Sequence, residues 1–256
     1  MGQVIGRWLI LLSLSLVLTG CLYWLRAYDI YTQLEQFDVH FVTRTDTDFT
    51  LEFKKPVLFS QDLVSLSGMR PSQIVSTGPE QNWHYQFVQA GKRDQPAHFA
   101  IDAVFNRYGK LRAWHFSKPF LTIAPPDFLA VSLRSLAGAE IDEIGQRLNI
   151  DERRVQMIDQ PLVPRHQVIA WLGAPDKTQL LSRQRERLTY LFMLDDPQAA
   201  NSEPKYSQLQ LTFDQTTDEL IKLKAKFDKL KFSIKYRRFQ ASKPGLQALD
   251  QTRQKL

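Results

Sequence analysis

The chain has 256 residues, 43% of them hydrophobic, with 16 Phe, a single Cys and a formal net charge of +6. That length and apolar content exclude a disordered chain or a disulfide-stapled miniature, and suit one large domain or two small ones. The basic excess is too mild to argue nucleic-acid binding, but it suits an anionic membrane surface.

The first element is a secretory signal. Arg7 is the only charge before the apolar run Trp8-Leu-Ile-Leu-Leu-Ser-Leu-Ser-Leu-Val-Leu18, which closes on Thr19-Gly20-Cys21. A basic start, an apolar core and small residues at the end form a signal peptide over residues 1–20. The Leu-Thr-Gly-Cys ending resembles the bacterial lipobox. It predicts cleavage between Gly20 and Cys21, with a diacylglycerol and an acyl chain, such as palmitate, carried on Cys21. A lone thiol makes no internal disulfide, and a lipid consumes it. Leu22, not Asp, then stands second in the mature chain, which points to the outer membrane and its periplasmic face. The alternative is an uncleaved anchor in the inner membrane. The apolar run continues through Leu22-Tyr-Trp-Leu25, so Trp8 to Leu25 makes 18 residues, within the roughly 17–25 that a spanning helix needs. Residues 21–36 form a membrane-proximal segment under either reading.

An internal repeat follows. Pro56 to Gly68 parallels Pro161 to Gly173 at an offset of 105 residues, which also pairs Leu63 with Val168, Leu66 with Trp171, Tyr85 with Tyr190 and Phe87 with Phe192. In each copy a proline leads into a short apolar helix. Ser60 is placed to cap the first, and Gly68 and Gly173, each followed by a proline (Pro71, Pro175), sit where a helix end wants a left-handed residue. A strand comes next, over Asn82 to Val88 and Arg187 to Met193, then a polar loop. A hairpin closes the unit, with turns at Asn106 to Gly109 and Asp214 to Thr217. Phe37 to Val42 and Phe49 to Phe53 read as a strand pair ahead of copy one, and Asp127 to Leu148 reads as helical. The expected fold is α+β: two tandem small antiparallel sheets, each with a helix packed on one face, joined by a helical segment. The expected divisions are a first repeat over 37–122, a helical connector over 123–150, a second repeat over 151–240 and a mobile polar tail over 241–256.

The second copy resembles the SmpA/OmlA (BamE-like) family of small outer-membrane lipoproteins. The residues that carry the likeness are Gln167-Val-Ile-Ala-Trp-Leu-Gly-Ala-Pro175, Leu188-Thr-Tyr-Leu-Phe192, and Leu209-Gln-Leu-Thr-Phe-Asp214 with Leu220. The match covers about 60 residues of copy two and, more weakly, copy one. The chain departs from the family in three ways. Leu162-Val-Pro-Arg-His166 replaces the family's Gly-Met-Thr entry to the helix, the unit occurs twice, and no flexible spacer follows Cys21. The resemblance implies a non-catalytic accessory role in envelope or outer-membrane biogenesis, exercised by docking onto an envelope protein.

No catalytic pattern is legible. His40, His84, His98, His115 and His166 lie in no His-x-x-x-His spacing, although His84, His98 and His115 fall on three strands of copy one. No serine elbow or phosphate loop is present. The carboxylate pairs Asp142 with Glu143 and Asp195 with Asp196 read as solvated. Ala139 to Val155 has the spacing of a helix-turn-helix, but it follows an export signal, so the same spacing is read as a helical hairpin and no nucleic acid is expected. No metal and no cofactor other than the lipid on Cys21 is expected.

Ile221 to Phe227 and Lys229 to Tyr236 alternate strictly. Successive strand side chains face opposite ways, so Lys222, Lys224 and Lys226 share one face. With Lys229, Lys231 and Lys235 they are candidate contacts to an anionic surface; the plain alternative is a solvated face whose lysines discourage edge pairing. The expected function is a lipid-anchored, periplasm-facing scaffold. A lipid or small-ligand module between the repeats is the alternative.

Overall fold

Strand alternation decides where the core sits. Phe49, Leu51 and Phe53 are buried and alternate with Thr50 and Glu52; Leu223 and Ala225 are buried and alternate with exposed Lys224 and Lys226. Period-two burial of this kind builds a sheet with one apolar and one polar face. The computed structural model of the chain describes residues 26, 28–30, 32–45, 48–91, 96–134, 140–142, 147–149, 163–182, 184–195, 206–228 and 230–235. Cys21, Gly20, Lys229, Glu143, Asp196 and the tail from 241 lie outside them.

The strands are β1 (Phe41–Arg44), β2 (Phe49–Phe53), β3 (Gln73–Thr77), β4 (Glu80–Gln89), β5 (His98–Phe105), β6 (Leu111–Phe116), β7 (Glu140–Asp142), β8 (Arg147–Asn149), β9 (Lys177–Leu181), β10 (Arg185–Leu194), β11 (Tyr206–Asp214), β12 (Leu220–Phe227) and β13 (Leu230–Lys235). The helices are α1 (Phe37–His40), α2 (Ser60–Ser67), α3 (Lys118–Ile123), α4 (Pro126–Arg134) and α5 (Arg165–Leu172).

All the strands belong to one sheet. Its order is β1-β2-β6-β5-β4-β10-β11-β12-β13-β8-β7, with β3 laid on β4 and β9 on β10. This corrects the expectation of two separate small sheets: the chain forms one curled antiparallel half-barrel, mostly β, with a few short helices. The copies fuse where β4 meets β10, with Gln89 opposite Phe192, Val88 opposite Met193 and Phe87 opposite Leu194. The Ala90 N–H donates to the Leu191 carbonyl at 2.8 Å, and the Asp195 N–H to the Gln86 carbonyl at 2.9 Å. Val88 and Met193 are equivalent positions at the 105-residue offset, as are Ala90 and Asp195, and Gln86 and Leu191. The join is therefore a local two-fold through the Val88–Met193 pair. The reason two units become one is edge chemistry. Each central strand, once β3 or β9 covers its first half, keeps an unpaired second half, and unpaired edges seek a partner strand. Each copy supplies the other's.

The rest of the repeat is also visible in hydrogen bonds. The Gln86 N–H donates to Ser72 Oγ at 2.9 Å and the Leu191 N–H to Asp176 Oδ2 at 2.8 Å. The Leu111 N–H donates to the Leu58 carbonyl and the Leu220 N–H to the Val163 carbonyl, at 2.7 and 3.1 Å. Gly68 and Gly173 end α2 and α5 with φ of 71° and 70°, which L side chains rarely adopt. Ser60 is not the cap of α2. It is the first helical residue, and Asp62 reaches back to accept the Phe59 N–H at 2.8 Å.

Two further expectations change. Phe37 to His40 form the helical turn α1, so the leading strand pair is only Phe41–Arg44 against Phe49–Phe53. Among the described residues of the joining segment, Pro126–Arg134 are helical, whereas Glu140–Asp142 and Arg147–Asn149 pair antiparallel, with Ile141 opposite Leu148, and β8 runs parallel to β13. Two apolar residues seven apart fit one face of a helix. They fit a cross-strand pair equally well, which is how a hairpin passes for a helix in sequence.

One core lines the apolar face, with α2, α3, α4 and α5 supplying Leu63, Phe120, Leu129 and Val168 to it. The Phe87 and Phe227 rings lie 5.7 Å apart although β10 and β11 separate their strands, which measures the curl. Tyr85 and Tyr190 occupy equivalent buried positions but differ in satisfaction. The Tyr190 hydroxyl donates to the Gly173 carbonyl at 3.2 Å, whereas the Tyr85 hydroxyl has no partner among the described residues. Burial, reinforced by nearby Asp176 and opposed by Arg165, pushes the Tyr190 phenol up to about 12, and burial alone pushes Tyr85 up. Tyr190→Phe is expected to cost about 1 kcal/mol of stability, and Tyr85→Phe to be neutral or slightly stabilising. The check is the pair of urea midpoints; equal losses at both positions would contradict this account.

Candidate functional site

The polar face is where the chain leaves its chemistry. In copy one a single cross-strand row runs from β1 through β2, β6, β5 and β4 to β3: Arg44, Thr50, His115, Asp102, His84 and Gln73. Alternation puts each of these side chains opposite the core, and pairing in register puts them side by side. His84 Nδ1 lies 2.7 Å from Asp102 Oδ1, so Nδ1–H donates to the carboxylate, and Nε2 lies 3.1 Å from the Gln86 side chain. His115 Nδ1 lies 2.7 Å from Thr50 Oγ1. Arg44 pairs with Glu52 in the next row, Nε to Oε1 at 3.0 Å. An open depression of about 580 Å³ lies over this row, with Arg44, Asp48, Thr50, Asp102, His115 and Lys118 among its lining residues.

The row unites His84 and His115, two of the three histidines that the sequence places on strands of copy one. His98 is exposed on β5 opposite Val88, away from the other two. His40 ends α1, and His166 belongs to the start of α5. Asp102, which stands between the two histidines in the row and bonds His84, carries no sequence signal beyond its alternation with Ile101 and Ala103. Ser117 lies at the same depression, but its hydroxyl accepts the Ala100 N–H at 2.9 Å and touches neither histidine. Among the described residues no three His, Cys, Asp or Glu side chains form a group that could hold a metal ion. The row thus holds two hydrogen-bonded pairs, Thr50 with His115 and Asp102 with His84.

Copy two presents the same positions with different chemistry. His84, Asp102 and His115 correspond to Thr189, Gln210 and Lys224 at offsets of 105, 108 and 109 residues. The row there reads Lys177, Thr189, Gln210, Lys224, Ser233. On one side of it lies the row Arg187, Thr212, Lys222, Lys235, and on the other Leu191, Gln208, Lys226, Lys231. Lys224 and Lys226 are exposed and Lys222 and Lys231 half-buried. The lysines predicted to share a face do so, while Lys229 lies outside the described residues.

Two charged clusters tie separate parts of the chain together. At the hairpin tip of copy two, Asp218 meets His166 Nδ1 at 2.7 Å and Arg165 Nε at 3.4 Å, and Arg165 also reaches Glu186 at 3.2 Å. Burial opposes ionisation of Asp218, but the hydrogen bonds from His166 and Arg165 outweigh it and hold the carboxyl below its ordinary value. In copy one Arg26 Nη2 meets the buried Asp62 at 2.7 Å and stands 5.1 Å from the Phe59 ring centroid. The sequence gives no hint of this second pair, whose members are 36 residues apart. No described helix is long and apolar enough to cross a membrane. No protein-family model matches the chain, and neither a curated protein nor a solved structure matches it.

Proposed function

We propose that the chain is a lipid-anchored, periplasm-facing interaction module of the bacterial envelope, a non-catalytic relative of the SmpA/OmlA lipoproteins that works by docking other envelope components. The observation that carries this reading is the contact of Arg26 with Asp62 and Phe59. Arg26 stands five positions after Cys21. Five residues reach at most about 17 Å when fully extended. A chain tethered at Cys21 therefore keeps its folded body against the bilayer instead of sending it out on a long leash. The broad polar sheet face supports the same reading, because it offers a large, pre-formed surface to a partner.

The test is the mass of the N-terminal peptide recovered from membranes of the native host. Loss of residues 1–20 with acyl chains on Cys21 is the expected result. An intact Met1 to Arg26 peptide without lipid would replace the lipoprotein with a signal-anchored protein of the inner membrane.

A further inference from the structure

We infer that the hairpin tip of copy one, between β5 and β6, rests in the headgroup region of the membrane that carries the chain, with Tyr108 at the interface and Arg107 and Lys110 against lipid phosphates. The inference rests on the membrane-attached reading above and assigns that reading its point of contact. It holds for either form of attachment. A lipid on Cys21 lies five positions before Arg26, and the apolar run of an uncleaved anchor ends at Leu25.

The point where the chain enters the fold and this tip meet on one aromatic ring. Arg26 Cζ lies 5.1 Å from the Phe59 ring centroid, and Lys110 Nζ lies 5.4 Å from the same centroid. The Ser60 N–H donates to the Gly109 carbonyl at 3.2 Å, which fixes the tip to the start of α2. Arg26 pairs with Asp62 of that helix at 2.7 Å. From this junction the tip projects Tyr108, which is 64% exposed, with Arg107 Cζ 4.8 Å from its ring centroid. A tyrosine ring suits a membrane interface, where its apolar body meets the acyl boundary and its hydroxyl stays wet. Basic side chains beside it reach the phosphates through their flexible stems.

The comparison with copy two shows that the turn itself does not call for these residues. Phe59 bridges to Lys110 in copy one, and Pro164 bridges to Glu219 in copy two. Asn106 Oδ1 accepts the Tyr108 and Lys110 N–H groups at 3.0 and 3.1 Å, and Asp214 Oδ1 accepts those of Thr216 and Thr217 at 2.9 and 3.4 Å. Two turns capped in the same way thus carry opposite chemistry. Where copy one has Arg107, Tyr108 and Lys110, copy two has Gln215, Thr216 and Glu219. The aromatic and basic tip is the one that stands beside Arg26, and so beside the membrane.

The test replaces Tyr108 by the photoreactive p-benzoylphenylalanine in one version of the full chain and Thr216 in another. Each is purified from membranes, placed in vesicles of phosphatidylethanolamine and phosphatidylglycerol, irradiated, and its adducts are identified by mass. Lipid adducts are expected at position 108 and not at 216. Adding Arg107→Gln should lower the yield at 108 by about fivefold, the factor for one cation near an anionic surface, and high salt should lower it too. A chain that floats with the vesicles yet gives no lipid adduct at 108, or equal adducts at 108 and 216, would overturn the tip contact and leave the attachment standing. An adduct of position 108 to a protein in native membranes, with none to lipid, would overturn it in favour of a protein partner. Failure of the chain to float would overturn the attachment itself, and this contact with it.

Discussion

Phe192→Ala is expected to lower the stability of the chain by about 3–5 kcal/mol, the usual cost of emptying a buried phenylalanine site. Phe192 is 1% exposed and sits in the strand that joins the copies. Its ring lies 5.0 Å from Phe99 of copy one, Phe99 stacks on Phe87 at 4.8 Å, and Phe87 meets Phe227 of copy two at 5.7 Å. The cavity would open in packing shared by both halves. The loss should therefore appear as one shifted transition reported equally by Trp83 and Trp114 in copy one and by Trp171 in copy two. Urea unfolding of single-tryptophan versions checks this. Two separate transitions, with only the Trp171 signal shifted, would mean that the copies unfold as independent units despite their common sheet.

Arg26→Met is expected to cost about 3–5 kcal/mol, because it removes the only cation paired with Asp62 among the described residues. The Asp62 side chain is 4% exposed, and its remaining described hydrogen bond is the one it accepts from the Phe59 N–H. A buried carboxylate left without its cation suffers most of the desolvation cost alone. Replacing both partners, as Arg26→Met with Asp62→Leu, should recover much of the loss, since an apolar pair of similar volume substitutes well for a buried ion pair. Urea midpoints of the two single variants and the double variant form a cycle that isolates the pair. A loss below about 1 kcal/mol for Arg26→Met would place the interaction with ordinary surface ion pairs.

Local features were readable because local physics sets them. The strands over Asn82 to Val88, Arg187 to Met193 and Ile221 to Phe227 show period-two alternation, and the structure has strands at all three. Gly68 and Gly173 were readable as helix ends because the backbone there needs a positive φ. The lysine face followed from alternation alone. The exposed strands β3 and β9 were not readable, since Gln73 to Thr77 and Lys177 to Leu181 bury almost nothing and owe their extended form to β4 and β10. The hairpin of β7 and β8 was masked by a spacing that suits a helix equally well.

For this protein the sequence by itself determined the apolar run that ends at Cys21, the repeat offset, the polar and apolar sides of each strand and the basic character of copy two. These properties depend on neighbours along the chain, or on simple counting. Only the tertiary structure decided that the two copies close on each other through β4 and β10, that His84, Asp102 and His115 stand in one row, and that Arg26 docks on Asp62. Those outcomes depend on which strand edges are left unpaired after local folding and on which buried charge finds a partner. Residues distant in the chain settle both, so no local pattern records them.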